Sequence, residues 1–175
     1  AIGAIIGLIA YNVTLKHVPF VGNLIVALLG GLPFVFSAAA DGWPASAAVP
    51  GPLIAAFFAL CMHFGREIVK DIADHHGDHM AGSRTLPIVF GPMTAAAIVL
   101  FSVIILIVVC LWSYLQGWFS GIFMLITGVL VLAPLLAQSI YLFTSAGRRR
   151  AGLIAILIKL EMLPALIALL IGKAY

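Results

Sequence analysis

Long apolar runs separated by short polar segments dominate this 175-residue chain. A helix needs about 20 predominantly apolar residues to cross the hydrocarbon core of a bilayer. Five runs reach that length, the second of them only together with the helix that leads into Arg66. These runs cover approximately residues 20–40, 51–64, 93–115, 119–143 and 151–172. The pattern predicts an all-α fold, a transmembrane bundle with five spanning helices.

Residues 1–10 are also apolar, but this stretch is too short to span a bilayer. We interpret it as the tail of a further helix, so the expected architecture is five spans plus a partial one. On this interpretation residues 1–175 form the C-terminal part of a single membrane domain.

Composition supports the membrane assignment. Hydrophobic residues make up 64% of the chain and charged residues 9%, whereas soluble domains have about half and a quarter. No water-soluble fold could bury so much apolar surface, so we expect an integral protein of the cell membrane in contact with lipids. The net charge of +3 does not indicate nucleic acid, because the cations lie in short connections between apolar runs; we expect no nucleic-acid partner.

The connections between the runs alternate in charge. Basic residues occur around Lys16, within residues 66–92 and at residues 148–150, whereas residues 41–50 and the segment around Gln116 carry no Lys or Arg. Alternate connections lie on the same side of a bundle, and Lys and Arg accumulate in cytoplasmic loops. The basic connections are therefore predicted to be cytoplasmic.

The connection at residues 66–92 holds the acidic residues that carry the candidate chemistry. Asp71, Asp74 and Asp78 follow the spacing D-x-x-D-x-x-x-D, which places them on one face of a helix. Clustered carboxylates repel each other unless a cation compensates them. Oxygen ligands of this kind suit Mg²⁺, which bridges carboxylates to phosphate oxygens. Because Gly77 is a poor helix former, we expect the helix to stop at His76.

Three cations lie close to these acids in the sequence. Arg66, Lys70 and Arg84 are expected to bind the same phosphate-bearing anion directly. The alternative is a solvated loop in which acids and bases pair with each other. We favour a site, because three carboxylates in register beside three cations at a membrane face exceed what such a loop requires.

The charged segment resembles a known family. With the pattern KDIADHHGD followed by TLP and FG, residues 66–91 are similar to the second aspartate-rich motif of the UbiA-type intramembrane prenyltransferases. Tyr11 and Lys16, followed by a Gly-Asn pair that ends at Asn23, resemble the family segment that joins its fourth and fifth helices. Residues 93–175 match only as apolar helices.

The resemblance implies a fold of nine helices around a cavity, in which two aspartate-rich motifs hold Mg²⁺ and a prenyl diphosphate. This chain would supply the last five helices and the end of the fourth, without the first motif, so we expect it to have little activity alone. The resemblance also implies that Tyr11 and Lys16 lie near the diphosphate and the acceptor. The alternative is that these two residues anchor the chain at the membrane interface. For Asn23, substrate contact and an interhelical hydrogen bond both remain open.

The activity that the resemblance implies is transfer of a prenyl group from a prenyl diphosphate to a lipid-soluble acceptor. The motif is most similar to that of enzymes of archaeal-type ether-lipid synthesis, which transfer geranylgeranyl to geranylgeranylglyceryl phosphate. An aromatic prenyltransferase of the quinone, homogentisate or chlorophyll type is one alternative. A membrane transporter is another, because charges within a bundle also mark ion paths. The last span contains such charges, Lys159 and Glu161, and their roles stay open.

Overall fold

The computed structural model describes residues 19–40, 42 and 51–173 of the chain. Tyr11 and Lys16 lie outside these residues, as does most of the connection at residues 41–50. The described backbone is helical, apart from an isolated antiparallel bridge between Phe119 and Lys173. Its helices, in chain order, are α1 (Val21–Ala40), α2 (Pro52–Met80), α3 (Leu86–Phe90), α4 (Pro92–Leu115), α5 (Gly121–Thr127), α6 (Ala133–Tyr141), α7 (Ser145–Arg149) and α8 (Ala151–Ile171).

Five helices are long and apolar enough to cross a membrane, as the sequence predicted. Four of them are α1, α2, α4 and α8, and the fifth, Gly121–Tyr141, combines α5 and α6. Within this fifth span, a π-helical segment at Gly128–Leu132 joins the two α-helices. The protein is therefore an integral membrane protein with an all-α bundle.

The second span is longer than a bilayer requires. At 1.5 Å per residue, the 29 residues of α2 extend over about 44 Å, whereas a hydrocarbon core is about 30 Å thick. Counted from Pro52, 20 residues bring the helix to Asp71. The acidic residues therefore lie on the part of α2 that reaches the membrane surface and continues beyond it.

The C-terminus of α2 corrects the sequence-based expectation. The helix does not stop at His76 but continues through Gly77 to Met80. Gly82, with a φ of +70°, ends it, and the Ser83 N–H donates to the Asp78 carbonyl at 2.9 Å. A left-handed glycine with this hydrogen bond is a common helix stop. The roughly 1 kcal/mol cost of a helical glycine did not suffice to end the helix at Gly77.

Close helix packing places α2 at the centre of the bundle, against α1, α4 and α8. Gly31 on α1 lies so close to the backbone of α2 that an added Cβ would lie 2.9 Å from the Ala56 carbonyl oxygen. Small residues allow such approach between membrane helices. The resulting antiparallel α1–α2 pair brings the start of α1 beside the outer part of α2.

The two ends of the bundle differ in character. One end carries the outer part of α2 together with Arg148, whose Nη1 lies 3.2 Å from the sulfur of Met93 at the start of α4. At the opposite end, the Ser120 N–H donates to the Gly172 carbonyl at 2.8 Å. The connections at residues 66–92 and 148–150 were predicted to lie on the same side, and they share one end of the described bundle.

Candidate functional site

The three aspartates lie on one surface of α2 at the polar end of the bundle. Asp71 and Asp78 are half-buried and Asp74 is exposed. Because the helix is continuous through all three, Asp71 and Asp78 point in nearly the same direction two turns apart, with Asp74 turned by about 60°. The predicted shared face is therefore present.

Asn23 fixes the innermost of these carboxylates. Its Nδ2 donates a hydrogen bond to Oδ2 of Asp71 over 2.7 Å, between residues 48 positions apart in the sequence. Asn23 is itself buried, with 8% of its surface exposed, so its side chain has few other orientations. The structure contains the interhelical hydrogen bond, one of the two roles considered for Asn23.

Oδ1 of Asp71 accepts no hydrogen bond from any residue that the structure describes. Among the described residues, the carboxylate therefore has one oxygen held by Asn23 and one without a donor. A half-buried carboxylate near further acids is stabilised by a bound cation. Hard oxygen donors of this kind fit Mg²⁺ in their chemistry.

The spacing limits how such an ion can be held. Asp71 and Asp78 are about 10.5 Å apart along the helix axis, whereas Mg²⁺ takes its ligands at about 2.0–2.1 Å. Within the described residues, no three His, Cys, Asp or Glu side chains are close enough to form one metal site. The structure thus does not bring the three aspartates together around a single ion, and it leaves room for water and phosphate oxygens as further ligands.

The three predicted cations differ in their surroundings. Lys70 and Arg84 are exposed at the polar end and are free to approach an anion. Arg66, by contrast, forms an ion pair with Glu67 through Nη1, and only 25% of its side chain is exposed. The partner of Arg66 was not predicted, because adjacent residues on a helix usually point in different directions.

Two apolar cavities lie in the membrane-spanning part of the described bundle. One has a volume of about 350 Å³ between α1, α2 and α4, and begins at Phe20, three residues before Asn23. The other has a volume of about 180 Å³ between α1, α2 and α8, and His63 is the one titratable residue among the described residues that line it. Both have hydrocarbon walls and are open at the surface of the described bundle, as a site for an isoprenoid chain would be.

A second polar pair lies at mid-membrane depth. Gln138 on α6 donates from Nε2 to Oε1 of Glu161 on α8 over 2.5 Å, and Glu161 is 9% exposed. Lys159 is exposed on the outer surface of the same helix. The sequence suggested that one of these two charges faces inward, and the structure identifies it as Glu161. Its partner Gln138 was not predicted, because a single polar residue in an apolar run is only a weak sequence signal.

Sequence comparison assigns this fold and motif to a family. The sequence pattern of the UbiA prenyltransferase family matches residues 1–161. Digeranylgeranylglyceryl phosphate synthase from Halobacterium salinarum is 38% identical over 169 residues, which is 95% of this chain and 56% of that protein. The enzyme of the same name from Methanobrevibacter smithii is 33% identical over 162 residues, with 93% and 56% covered.

A solved structure gives the same fold. It is described as providing structural and mechanistic insights into the biosynthesis of digeranylgeranylglyceryl phosphate synthase in membranes, and it matches with a TM-score of 0.82. The match covers 98% of this chain and 59% of that chain at 23% identity, so it supports the fold alone. The chain spans about 56% of the length of the two relatives named above. With the family pattern matched over 161 residues, the chain belongs to the UbiA prenyltransferase family.

Proposed function

We propose that this chain carries out, together with the remaining part of a family fold, the transfer of a prenyl group from a prenyl diphosphate to a lipid-soluble acceptor. We further propose geranylgeranyl as the group and geranylgeranylglyceryl phosphate as the acceptor, in ether-lipid synthesis. The observation that carries the proposal is the Asn23–Asp71 pair, which orients a carboxylate where α2 leaves the membrane. The names of the relatives support this choice of substrates.

The roles of the chain's own residues follow from their positions. Asn23 orients Asp71, and Asp71, Asp74 and Asp78 offer carboxylate oxygens to Mg²⁺ on one side of a bound diphosphate, with water and phosphate oxygens as further ligands. Lys70 and Arg84, both exposed, neutralise the phosphate oxygens. Mg²⁺, when bound by these carboxylates, would stabilise the negative charge that grows on the leaving diphosphate.

The apolar cavities suit the other part of the substrate. An isoprenoid chain is as apolar as the surrounding acyl chains, so it can occupy hydrocarbon walls at little cost, and the cavity that begins at Phe20 leads from the polar end into such surroundings. Walls of this kind also exclude water, which would otherwise compete with the acceptor for the activated prenyl group. Tyr11 and Lys16, outside the described residues, are proposed to contact the diphosphate and the acceptor.

We also propose that the polar end faces the cytoplasm. The connection that contains Arg84 and the connection that contains residues 148–150 share this end and hold most of the basic residues. The positive-inside rule then gives the orientation. A phosphorylated substrate made in the cytoplasm would reach the aspartates without crossing the membrane.

The test is a transfer assay in lipid vesicles with labelled geranylgeranyl diphosphate and Mg²⁺. The chain is assayed alone and co-expressed with the part of the Halobacterium salinarum relative that it does not match. We expect the co-expressed pair to form digeranylgeranylglyceryl phosphate from geranylgeranylglyceryl phosphate, and to leave homogentisate unmodified. Product on homogentisate alone would overturn the proposed acceptor, and no product on either acceptor from a correctly assembled pair would overturn the proposed activity.

A further inference from the structure

A small cavity lies between α2, α4, α6 and α8. Its volume, counted as the space open to the centre of a water molecule, is about 10 Å³. Most of its walls are apolar, but Arg66 from α2 and Gln138 from α6 both line it. Cavities of about 10–15 Å³ by this measure are the smallest that hold one water molecule, and only polar ones do.

Two buried polar atoms of these side chains lack a partner. Nε of Arg66 and Oε1 of Gln138 form no hydrogen bond within the part of the chain that the structure describes. The other ends of both side chains are engaged, because Arg66 pairs with Glu67 and Gln138 donates to Glu161. An unpaired buried polar group costs about 1–3 kcal/mol, so each of the two atoms requires an explanation.

The two atoms are chemically complementary. The Arg66 Nε–H is a donor and the Gln138 Oε1 is an acceptor, and a water molecule accepts from the first while it donates to the second. Two serines also line the cavity. Their hydroxyls donate to backbone carbonyls, Ser102 to Cys61 at 3.3 Å and Ser139 to Leu136 at 2.8 Å, which leaves their oxygens able to accept the second hydrogen of the water.

We propose that this cavity holds one ordered water molecule that bridges Arg66 to Gln138. The water completes a hydrogen-bonded chain from Glu67 through Arg66 and Gln138 to Glu161, across α2, α6 and α8. Glu161 is the eleventh of the 21 residues of α8, so the chain reaches from near the polar end to the middle of the membrane. Arg66 is held from both sides in this arrangement. The inference does not depend on the transferase activity.

Solid-state NMR of the ¹⁵N-arginine-labelled chain in lipid bilayers tests the bridge directly. Magnetisation is transferred from water protons to arginine Nε–H groups, with a membrane-impermeant relaxation agent added to suppress signals from exposed arginines such as Arg149 and Arg150. The Arg66 signal is assigned with Arg66→Lys. We expect a water-to-Arg66 transfer that survives the agent.

A matched pair of substitutions identifies the acceptor. Gln138→Leu removes the carbonyl that holds the water, and we expect loss of the Arg66 transfer signal. Gln116→Leu makes the same change at an exposed position in the α4–α5 connection and should leave the signal intact. The proposal is overturned by absence of the protected signal in the unmodified chain, which decides the question even where Gln138→Leu fails to fold, or by an unchanged signal in folded Gln138→Leu.

Discussion

Asn23 and Asp71 form a hydrogen bond of 2.7 Å between the start of α1 and the outer part of α2. The bond joins a buried amide to a half-buried carboxylate at the depth where α2 leaves the hydrocarbon. It holds one carboxylate oxygen and leaves the other without a protein donor among the described residues. The pair therefore combines helix packing with orientation of the proposed ligand.

Replacement of Asn23 by Ala is expected to impair the site more than the fold. A hydrogen bond to a charged group contributes about 1.5–3 kcal/mol, so we expect turnover by the assembled enzyme to fall roughly tenfold to a hundredfold. The measurement is the transfer rate as a function of Mg²⁺ concentration. Ser113→Ala is the control, because this buried hydroxyl on α4 also makes one hydrogen bond, to the Val109 carbonyl at 2.7 Å. Equal rates for the two variants would argue against an orienting role.

Removal of the carboxylates is expected to abolish Mg²⁺-dependent turnover. Asp71→Ala, Asp74→Ala and Asp78→Ala should each lower the rate by about 10²–10³-fold, as loss of one preorganised electrostatic contact does, with little loss of folded protein. His76→Ala is the matched control, since it alters an exposed residue on the same turns of α2. Transfer rates and folded yield are measured together, and normal rates in all three aspartate variants would refute the assignment of the site.

Cysteine labelling tests which end of the bundle faces the cytoplasm. Cys61 and Cys110 are both buried, so the unmodified chain should react little with a membrane-impermeant maleimide. Ala81→Cys and Gln116→Cys introduce exposed thiols at opposite ends of the bundle. We expect the first to react only from the cytoplasmic side and the second only from the other side; labelling of both from one side would contradict the topology.

The Gln138–Glu161 pair predicts a coupling that a double-mutant cycle measures. Interhelical hydrogen bonds in membranes average about 0.6 kcal/mol and reach about 1.7 kcal/mol. Because either single change already removes the shared hydrogen bond, we expect Gln138→Leu and Glu161→Leu together to destabilise less than the sum of the two single changes. The measurement is unfolding in mixed micelles, with Gln138→Leu and Lys159→Leu as the control cycle, because exposed Lys159 makes no contact with Gln138. Additive effects in the first cycle would show that the pair does not stabilise the fold.

Residues 1–175 alone are expected to bind a prenyl diphosphate weakly and to turn it over slowly. A leaving diphosphate needs charge compensation on more than one side, and the described acids of the polar end come from α2 alone. Loss of compensation acts on the transition state, so the rate should fall more than the affinity. Binding and multiple-turnover product formation are measured for the chain with and without the complementary part of the relative; equal rates in the two cases would show this expectation to be wrong.

The spans were predictable from the sequence and the contacts between them were not. The first and third runs, residues 20–40 and 93–115, lie within one residue of Val21–Ala40 and Pro92–Leu115, because bilayer thickness fixes the length of an apolar run. The Asn23–Asp71 hydrogen bond depends on how two helices rotate about their axes. An apolar run without a polar stripe carries little information about that rotation.

The local sequence pattern predicted some features of the site and not others. The shared face of Asp71 and Asp74 lies within the helix that the sequence predicted, and the face extends to Asp78 because the helix continues past His76. The stop at His76 was wrong, because glycine ends a helix where a left-handed conformation is formed, as at Gly82, and not wherever glycine occurs. The ion pair between Arg66 and Glu67 depends on how far the two side chains are buried, and a charged segment gives little sequence signal of burial.

The π-helical segment at Gly128–Leu132 affects how this span should be aligned with those of other proteins. A π-turn holds one residue more than an α-turn, and each residue in an α-helix turns the following side chains by about 100°. A one-residue deletion at Val129 would remove that extra residue and close the segment to an α-turn, so Gln138 would keep its direction toward Glu161, whereas the same deletion within the α-helical part before Gln138 would rotate it away. A single gap at this segment thus records the loss of the π-turn, and homologues with and without the gap present the same side chains to the centre of the bundle.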